Sequence, residues 1–411
     1  MASKIVIIGA GFAGVWSALA AKRLINLNNK ENNVEVLVIA PEPTLVMRIR
    51  LYETNASSMT HPLGPLFEAA GIKYIQGTVT TIQPETHSIL VQSPSSPNST
   101  IPITYNRLIL AAGSTLIHPP SITGLQDHAF NIDSLPSATK LNTHLSNLPS
   151  LPETSARDTI AICGAGFTGI ELATELPKRL THLPNPRIVL IDTANEIGPE
   201  LGAGPRPIIT EAINALKIHL KLNSSVTSIT ADSVTLSTGE TIQTNTTIWT
   251  AGVKATPLTH QIPSPKDHLS RLHVTQHLRV PSTPDIFATG DVACVLADTE
   301  GHYALMSCQH ALELGRVAGH NAAADLLGES RWEYSQAGYV TCLDLGAWGA
   351  VVSQGWEREV RFAGELAKRV KGFINGTAIY PPVDVEEALG AAAPGSYQSD
   401  VLLEEIVKVV G

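Results

Sequence analysis

The chain has 411 residues, 43% of them apolar, a length beyond what a single compact core serves, so two or three domains are expected. Charged residues make up only 16% and the formal net charge is -9 with no long block of one sign, which excludes a nucleic-acid partner. Cys163, Cys294, Cys308 and Cys342 form no CxxC pair, so a disulfide framework and a zinc knuckle are excluded, and no apolar run reaches the ~18 residues of a membrane span.

In chain order, residues 5–8 are a short β-branched run ending at Gly9, and residues 14–25 are rich in Ala and Leu, so a strand, a tight turn and a helix are expected. The strand begins near Lys4 and leaves no room for a leader peptide, which points to a reducing, cytoplasmic setting. A polar break at 26–33 leads to a second β-branched run at 34–39 and closes a βαβ unit. Residues 72–113 alternate as short strands, with turns at 83–85 and 93–100. They read as a β-excursion ending in the apolar run 108–112 before Gly113. Pro-rich stretches at 117–120 and 147–152 lead into a second unit. There a strand at 159–163, a glycine turn, a helix from 169 to about 180 and a strand at 187–191 repeat the opening. A second β-excursion covers 218–251, with a turn at 238–240 and an apolar run before Gly252. After residue 330 the pattern changes to a strand at 338–343, glycine-rich turns and a helix over 359–375. The fold class expected is α/β, with two Rossmann-like dinucleotide-binding domains and a small C-terminal α+β domain.

Both glycine turns spell GxGxxG: Gly9, Gly11 and Gly14 in GAGFAG, and Gly164, Gly166 and Gly169 in GAGFTG. The first glycine permits the tight turn, the second lets backbone approach a pyrophosphate, and the third lets the helix pack on the strand. Asp192 ends the strand after the second motif, where an acid hydrogen-bonds an adenosine ribose 2′-hydroxyl. Thr193, Ala194 and Asn195 follow, with no nearby arginine for a 2′-phosphate, so NADH is expected over NADPH. The equivalent strand end of the first unit is Ala40, leaving Glu42, water or backbone to hold that ribose.

The double GAGFxG, YNRLILAAGS at 105–114, TTIWTAGV at 246–253 and above all TPDIFATGDVA at 283–293 carry a resemblance over nearly the whole chain. The chain resembles the FAD-dependent pyridine nucleotide oxidoreductases, within them the type II NADH dehydrogenase and apoptosis-inducing-factor-like branch. The resemblance implies an FAD-binding domain at 1–117 and 256–330, an NAD(P)H-binding domain at 118–255 and a C-terminal interface domain at 331–411. It implies FAD contacts from Gly9, Gly11, Phe12, Ala13, Gly14, Glu42, Arg50, Ala112, Gly113, Gly290, Asp291 and Gln309, and NADH contacts from Gly164, Gly166, Gly169, Asp192 and Gly252. Asp291 matches the family's acid at the flavin ribityl or pyrophosphate portion. A helix over 305–327 would aim its positive end at the flavin pyrimidine ring. Glu171 resembles the glutamate that orients the nicotinamide carboxamide. Gln309, in SCQHALELG at 307–315, matches the first glutamine of the AQxAxxQG segment bordering the quinone site of type II enzymes, while Leu314 replaces the second. Glu171 and Gln309 are therefore the candidate catalytic residues.

Disulfide reductases of this superfamily carry a redox cysteine pair in a stretch that here would fall near 44–60, and that stretch holds no cysteine. Electrons would pass from the flavin directly to the acceptor. Arg48 and Arg50 in MRIRLYE are candidates to reach the flavin or an anionic acceptor, with surface arginines as the ordinary reading. His310 reads as a helix-face histidine, with proton donation to a quinone as the alternative. His268, His273 and His277 have no acid or cysteine to complete a set, so no metal is expected.

The function expected is an FAD-dependent NAD(P)H:acceptor oxidoreductase working by a ping-pong scheme, with a quinone-like acceptor. The alternatives are a flavin-dependent oxidase or dehydrogenase of an organic metabolite, with dioxygen or NAD as partner, and an NADH-sensing interaction protein like apoptosis-inducing factor. A monomer or homodimer is expected, cytoplasmic, with peripheral membrane association left open. The helix over 359–375 carries Phe362, Leu366, Val370 and Phe373 at helical spacing, with Arg361, Lys368, Arg369 and Lys371 on its other faces, for lipid or for protein. The stretch 400–410, with Leu402, Ile406 and Val409 beside Glu404 and Glu405, reads as docking on protein.

Overall fold

A computed structural model describes residues 2–96, 98–395 and 398–411. Its first sheet has five parallel strands in the spatial order Ile286–Ala288, Arg107–Leu110, Ser3–Ile8, Val34–Ala40, Lys73–Gln76. Its second has four, His219–Lys221, Arg187–Ile191, Thr159–Cys163 and Thr246–Trp249, again all parallel. Ile5, Val6 and Ile7, like Ile160, Ala161 and Ile162, are fully buried. That is why these strands read as unbroken apolar runs rather than alternating ones: both faces of a parallel sheet are covered.

The first β-excursion is an antiparallel sheet of Thr78–Gln83, Ser88–Gln92 and Thr100–Thr104, and the second is one of Val226–Ile229, Ser233–Leu236 and Thr241–Gln243. Part of the turn expected at 93–100 falls on residue 97, outside the described residues. Ser114–Leu116 pairs antiparallel with Val253–Ala255, so the chain leaves the first unit and returns to it along one two-stranded ribbon. The returning segment then supplies Ile286–Ala288 to the first sheet beside Arg107–Leu110.

Helices α1 (Phe12–Leu27) and α2 (Phe167–Arg179) start two residues earlier than the apolar pattern suggests, each directly after the second glycine of its motif. Helix α3 (Cys308–Leu327) begins at the N-cap Ser307, whose hydroxyl accepts the His310 N–H. Helices α1 and α3 cross with backbone nearly touching backbone. A Cβ on Gly319 would stand 2.0 Å from the Ser17 carbonyl oxygen, and one on Gly315 would stand 2.5 Å from that of Ala13. The Ser17 hydroxyl donates to both the Ala13 and Gly315 carbonyls across the crossing.

The C-terminal unit departs from expectation. Residues 359–364 are not helix but a strand, Glu359–Gly364, antiparallel to Ala350–Gln354, which in turn pairs with Val340–Asp344. The Gly355 turn and the left-handed Arg358 (φ 58°) reverse the chain into a hairpin, and a strand in that register outcompetes the helix-like spacing of Phe362 and Leu366. Helix α4 (Glu365–Phe373) starts only after Gly364. Its Val370 and the Leu403 and Ile406 of the terminal helix α5 (Ser399–Val410) share one buried cluster with Ala350 and Val352. Val370, Leu403 and Ile406 are therefore turned onto protein, whereas Val409 is 70% exposed. Among the described residues no helix is long and apolar enough to cross a membrane.

The crossing of α1 and α3 predicts a contrast between two glycines. Gly319→Ala should lower unfolding stability by about 1–3 kcal/mol through overpacking, whereas Gly372→Ala, with open space at its Cβ inside α4, should raise it by about 0.5–1 kcal/mol. Urea titration of the two variants checks this, and equal midpoints would contradict the packing described.

Candidate functional site

At the carboxyl edge of the first sheet the glycines behave as their motif requires. Gly9 has φ +109° and a Cβ there would lie 2.4 Å from the Ala111 oxygen, while a Cβ on Gly14 would lie 2.0 Å from the Gly9 oxygen. Gly11, in contrast, has clear space for 4 Å around its missing Cβ, as does the left-handed Gly113. Phe12 and Ala112 are half-buried beside them and Ala13 is buried, with its Cβ 2.8 Å from where one on Gly290 would stand. This open cradle, at the N-terminus of a sixteen-residue helix and the ends of parallel strands, is the shape that admits a pyrophosphate.

Asp291 flanks the cradle. Its carboxylate accepts from the Ser114 hydroxyl at 2.6 Å, and Arg48 stands 3.8 Å away while donating to Ser114 and pairing with Asp133. Arg50 lies elsewhere: its guanidinium grips Glu53 through two bonds and donates to the Asn375 carbonyl and the Tyr380 hydroxyl, tying the 44–60 segment to the C-terminal unit. Of the two arginines, Arg48 faces the cradle. At the end of the second strand the Ala40 carbonyl is taken by the Tyr74 hydroxyl and the Gly77 N–H, and Glu42 is exposed with the Gln76 amide 3.3 Å away.

The second cradle repeats this geometry with different charge. Gly164 has φ +116°, and a Cβ on Gly169 would stand 1.8 Å from the Gly164 oxygen. Asp192 accepts from the Ala165 N–H at 2.5 Å and from the Ala194 N–H at 2.8 Å, fixing its carboxylate beside the tip of α2. The space beside Gly166 is filled by Glu200, whose Oε1 would be 2.5 Å from a Cβ there and which accepts the Phe167 N–H at 2.7 Å. Gly252, left-handed and exposed, sits across from Ile117.

Glu171, one turn into α2, is only 3% exposed. Its Oε1 meets the Lys371 ammonium at 2.8 Å and accepts the Asp344 N–H at 3.0 Å. Lys371 is 5% exposed, donates also to the Cys342 carbonyl and lies against the rings of Phe167 and Tyr52. Tyr52 donates to Asp344, and Lys368 pairs with the same carboxylate. The helical spacing predicts Lys371 on an outer face. It is buried because its side chain is covered by Glu171, the Phe167 ring and the Cys342 carbonyl. Nothing local in the chain signals Lys371 and Asp344 as partners of Glu171, or Tyr52 as a partner of Asp344, since all are far apart in sequence.

At the start of α3, Gln309 is buried and both ends of its amide are used by the backbone of Val340, so it stitches α3 to the C-terminal sheet. His310 is fully buried, stacks on Tyr339 at 4.9 Å and has its ring Nδ1 2.9 Å from the Ser307 hydroxyl. Burial lowers its pKa to about 3, so the ring is neutral. The thiols of Cys308 and Cys342 are pushed up to about 11 and about 12 by burial, which keeps them protonated and poor nucleophiles.

Burial raises the Glu171 carboxyl from 4.5 to about 7, against the pull of Lys371. The folded chain therefore keeps a proton that the unfolded chain releases, and this group's contribution to stability is full below about pH 4.5 and lost as pH rises through about 7. Urea midpoints measured from pH 5 to 8 should fall more steeply for the wild type than for Glu171→Gln; parallel profiles would contradict it.

A family model described as pyridine nucleotide-disulphide oxidoreductase matches residues 3–315. An NADH dehydrogenase-like protein of Mycobacterium tuberculosis is 40% identical, covering 95% of this chain and 98% of its own. A demethylphylloquinone reductase of Synechocystis is 28% identical over 85% and 86% of the two chains, and a type II NADH:quinone oxidoreductase of Staphylococcus aureus is 23% identical over 92% and 95%. The fold is shared with NDH2 from Plasmodium falciparum, solved with NADH, at a TM-score of 0.75 and 15% identity over 97% and 99% of the chains. With two glycine cradles at the carboxyl edges of two parallel sheets, and a family match running from the first strand into α3, the chain belongs to the pyridine nucleotide-disulphide oxidoreductase family.

Proposed function

We propose that the protein is an FAD-dependent NADH:acceptor oxidoreductase of the type II NADH dehydrogenase kind, which delivers electrons to a quinone-like acceptor without a redox disulfide. The observation that carries this reading is the asymmetry of the cradles. Both have the pyrophosphate geometry, but only the second has an acid, Asp192, at its ribose position. In this reading residues 1–117 and 256–330 hold FAD, 118–255 hold NADH, and 331–411 form the interface unit. FAD, when bound, supplies the two-electron relay between nicotinamide and acceptor.

The chain's own residues then divide the work. The Gly11 cradle and the N-terminus of α1 take the FAD pyrophosphate, with Asp291 held beside it by Ser114 and Arg48. Asp192 binds the NADH ribose and gives no room to a 2′-phosphate, in the absence of any arginine paired with it among the described residues. Glu171, fixed by Lys371 and the Asp344 N–H, is a rigid acceptor for the nicotinamide carboxamide. The Ser307-capped end of α3 puts a positive dipole at the flavin ring. Buried, protonated Cys308 and Cys342 offer no dithiol relay, so the acceptor must reach the flavin itself.

A quinone-like acceptor is supported by the Synechocystis and Staphylococcus relatives, whose names state quinone reduction. Dioxygen is the second reading. It draws on Leu314 in place of the second glutamine and on the Gln309 amide, which is spent on Val340 and leaves no free amide for a quinone carbonyl. A monomer or homodimer is proposed, with any membrane contact made at the surface.

Two measurements test the proposal. The purified protein should be yellow and bleach anaerobically with NADH faster than with NADPH, and its reduced form should be reoxidised faster by a short-chain quinone than by dioxygen. The reverse order of acceptors would select the second reading, and a colourless folded protein that takes up no FAD would overturn both. Asp192→Ala should raise KM for NADH about tenfold, the loss of one charge-assisted hydrogen bond, and narrow the NADH over NADPH preference while leaving kcat nearly unchanged.

A further inference from the structure

The second cradle is already occupied by an anion of the chain itself. At the tip of α2 the free N–H groups point outward and favour negative charge. Glu200 has placed its carboxylate there, accepting the Phe167 N–H at 2.7 Å and lying where a Cβ on Gly166 would be 2.5 Å from Oε1. This is the space that the second glycine of the motif keeps open for a pyrophosphate, and at Gly11 the same space is clear for 4 Å. Asp192 holds the neighbouring Ala165 N–H. Two carboxylates thus share one helix tip, and among the described residues no ion pair brings either of them a cation.

We propose that Glu200 is an internal competitor for the dinucleotide pyrophosphate, a residue that sets NADH affinity because its carboxylate must leave the α2 tip before the pyrophosphate can bind. The proposal rests on the reading of the second cradle as the NADH site.

The surroundings make this a side-chain movement and not a loop movement. Glu200 lies in the short turn Pro199–Leu201 between two left-handed glycines, Gly198 (φ +57°) and Gly202 (φ +77°). The turn is anchored on both sides of Glu200: Gly198 donates to the Ala165 carbonyl at 3.0 Å, and Leu201 is buried. Glu200 itself is exposed, so rotation of its side chain into water frees the Phe167 N–H without disturbing the backbone. A phosphate oxygen and the Glu200 carboxylate cannot both accept the Phe167 N–H at hydrogen-bond distance, so occupancy is exclusive. While Glu200 is seated, a small inorganic anion gains little there. A dinucleotide displaces it because its adenosine half is held separately at Asp192. The same competition weakens retention of NAD⁺ after oxidation.

Equilibrium binding of ADP-ribose, which carries the pyrophosphate and both riboses but no nicotinamide, tests this on the full-length flavin-loaded protein. Calorimetry should show Glu200→Gln and Glu200→Ala binding ADP-ribose about tenfold more tightly than the wild type, the size of one charge-assisted hydrogen bond. Adenosine, which lacks the pyrophosphate, should bind wild type and Glu200→Gln alike, and the ADP-ribose-induced rise in Tm should be larger in Glu200→Gln. If both Glu200 variants bind ADP-ribose no better than wild type while Asp192→Ala still weakens it, Glu200 is a helix cap and the proposal fails with the NADH site intact. If ADP-ribose binds to none of these proteins, the assignment of the second cradle to NADH fails and takes the proposal with it.

Discussion

Burying a charged lysine is costly without an acidic partner, and Lys371 has one in Glu171. Lys371 and Glu171 come from the C-terminal unit and the second Rossmann unit and meet at 2.8 Å with almost no exposure. Removing Glu171 from such a pair costs about 3–5 kcal/mol, because Lys371 is left charged and dry. The pair is reinforced by the Asp344 N–H on Glu171, by Tyr52 and Lys368 on the Asp344 carboxylate, and by the Cys342 carbonyl on Lys371. Tyr52 belongs to the first unit, so all three units are held at one point. That point lies one helical turn inside the second glycine cradle, so the side of the cradle formed by α2 is held rigidly.

The two cradles set one backbone motif in two different charge environments. Steric demand is the same in both: a Cβ on Gly14 or Gly169 would run into the carbonyl of the first glycine of its own motif. What differs is charge. The first cradle has neutral Ala40 at its strand end and the Asp291–Ser114–Arg48 set at its flank, supplied by segments far along the chain. The second carries Asp192 on the strand itself and Glu200 at the helix tip. The first cradle is thus open beside its second glycine, whereas the second has a carboxylate of the chain in the equivalent space.

The C-terminal unit is docked through the stretch where the resemblance to disulfide reductases would have put a redox cysteine pair. Where the redox pair would fall, the chain places Arg48, Arg50 and Tyr52, and each reaches a different partner: Arg48 the Asp291 cluster, Arg50 the Asn375 and Tyr380 region, Tyr52 the Asp344 network. The thiols that do approach this region, Cys308 and Cys342, are kept protonated by burial. The stretch that would carry electron relay is here used for docking.

What the sequence determined by itself was whatever depends on short-range chemistry. GxGxxG at two places, Asp192 at a strand end and unbroken apolar runs were enough to foresee two parallel sheets with dinucleotide cradles and β-excursions, because turn sterics and helix-tip hydrogen bonding involve only neighbouring residues. The ATGD segment was legible as a site only through family resemblance, since Asp291 meets Ser114 and Arg48 from distant parts of the chain. Tertiary structure alone decided the rest. It turned 359–364 into a strand, buried Lys371 against Glu171, spent Gln309 on Val340, separated Arg48 from Arg50 and seated Glu200 at the tip of α2. Each of these pairs a charge or an amide with a group from another element, and no local periodicity records which distant partner will satisfy a buried polar atom.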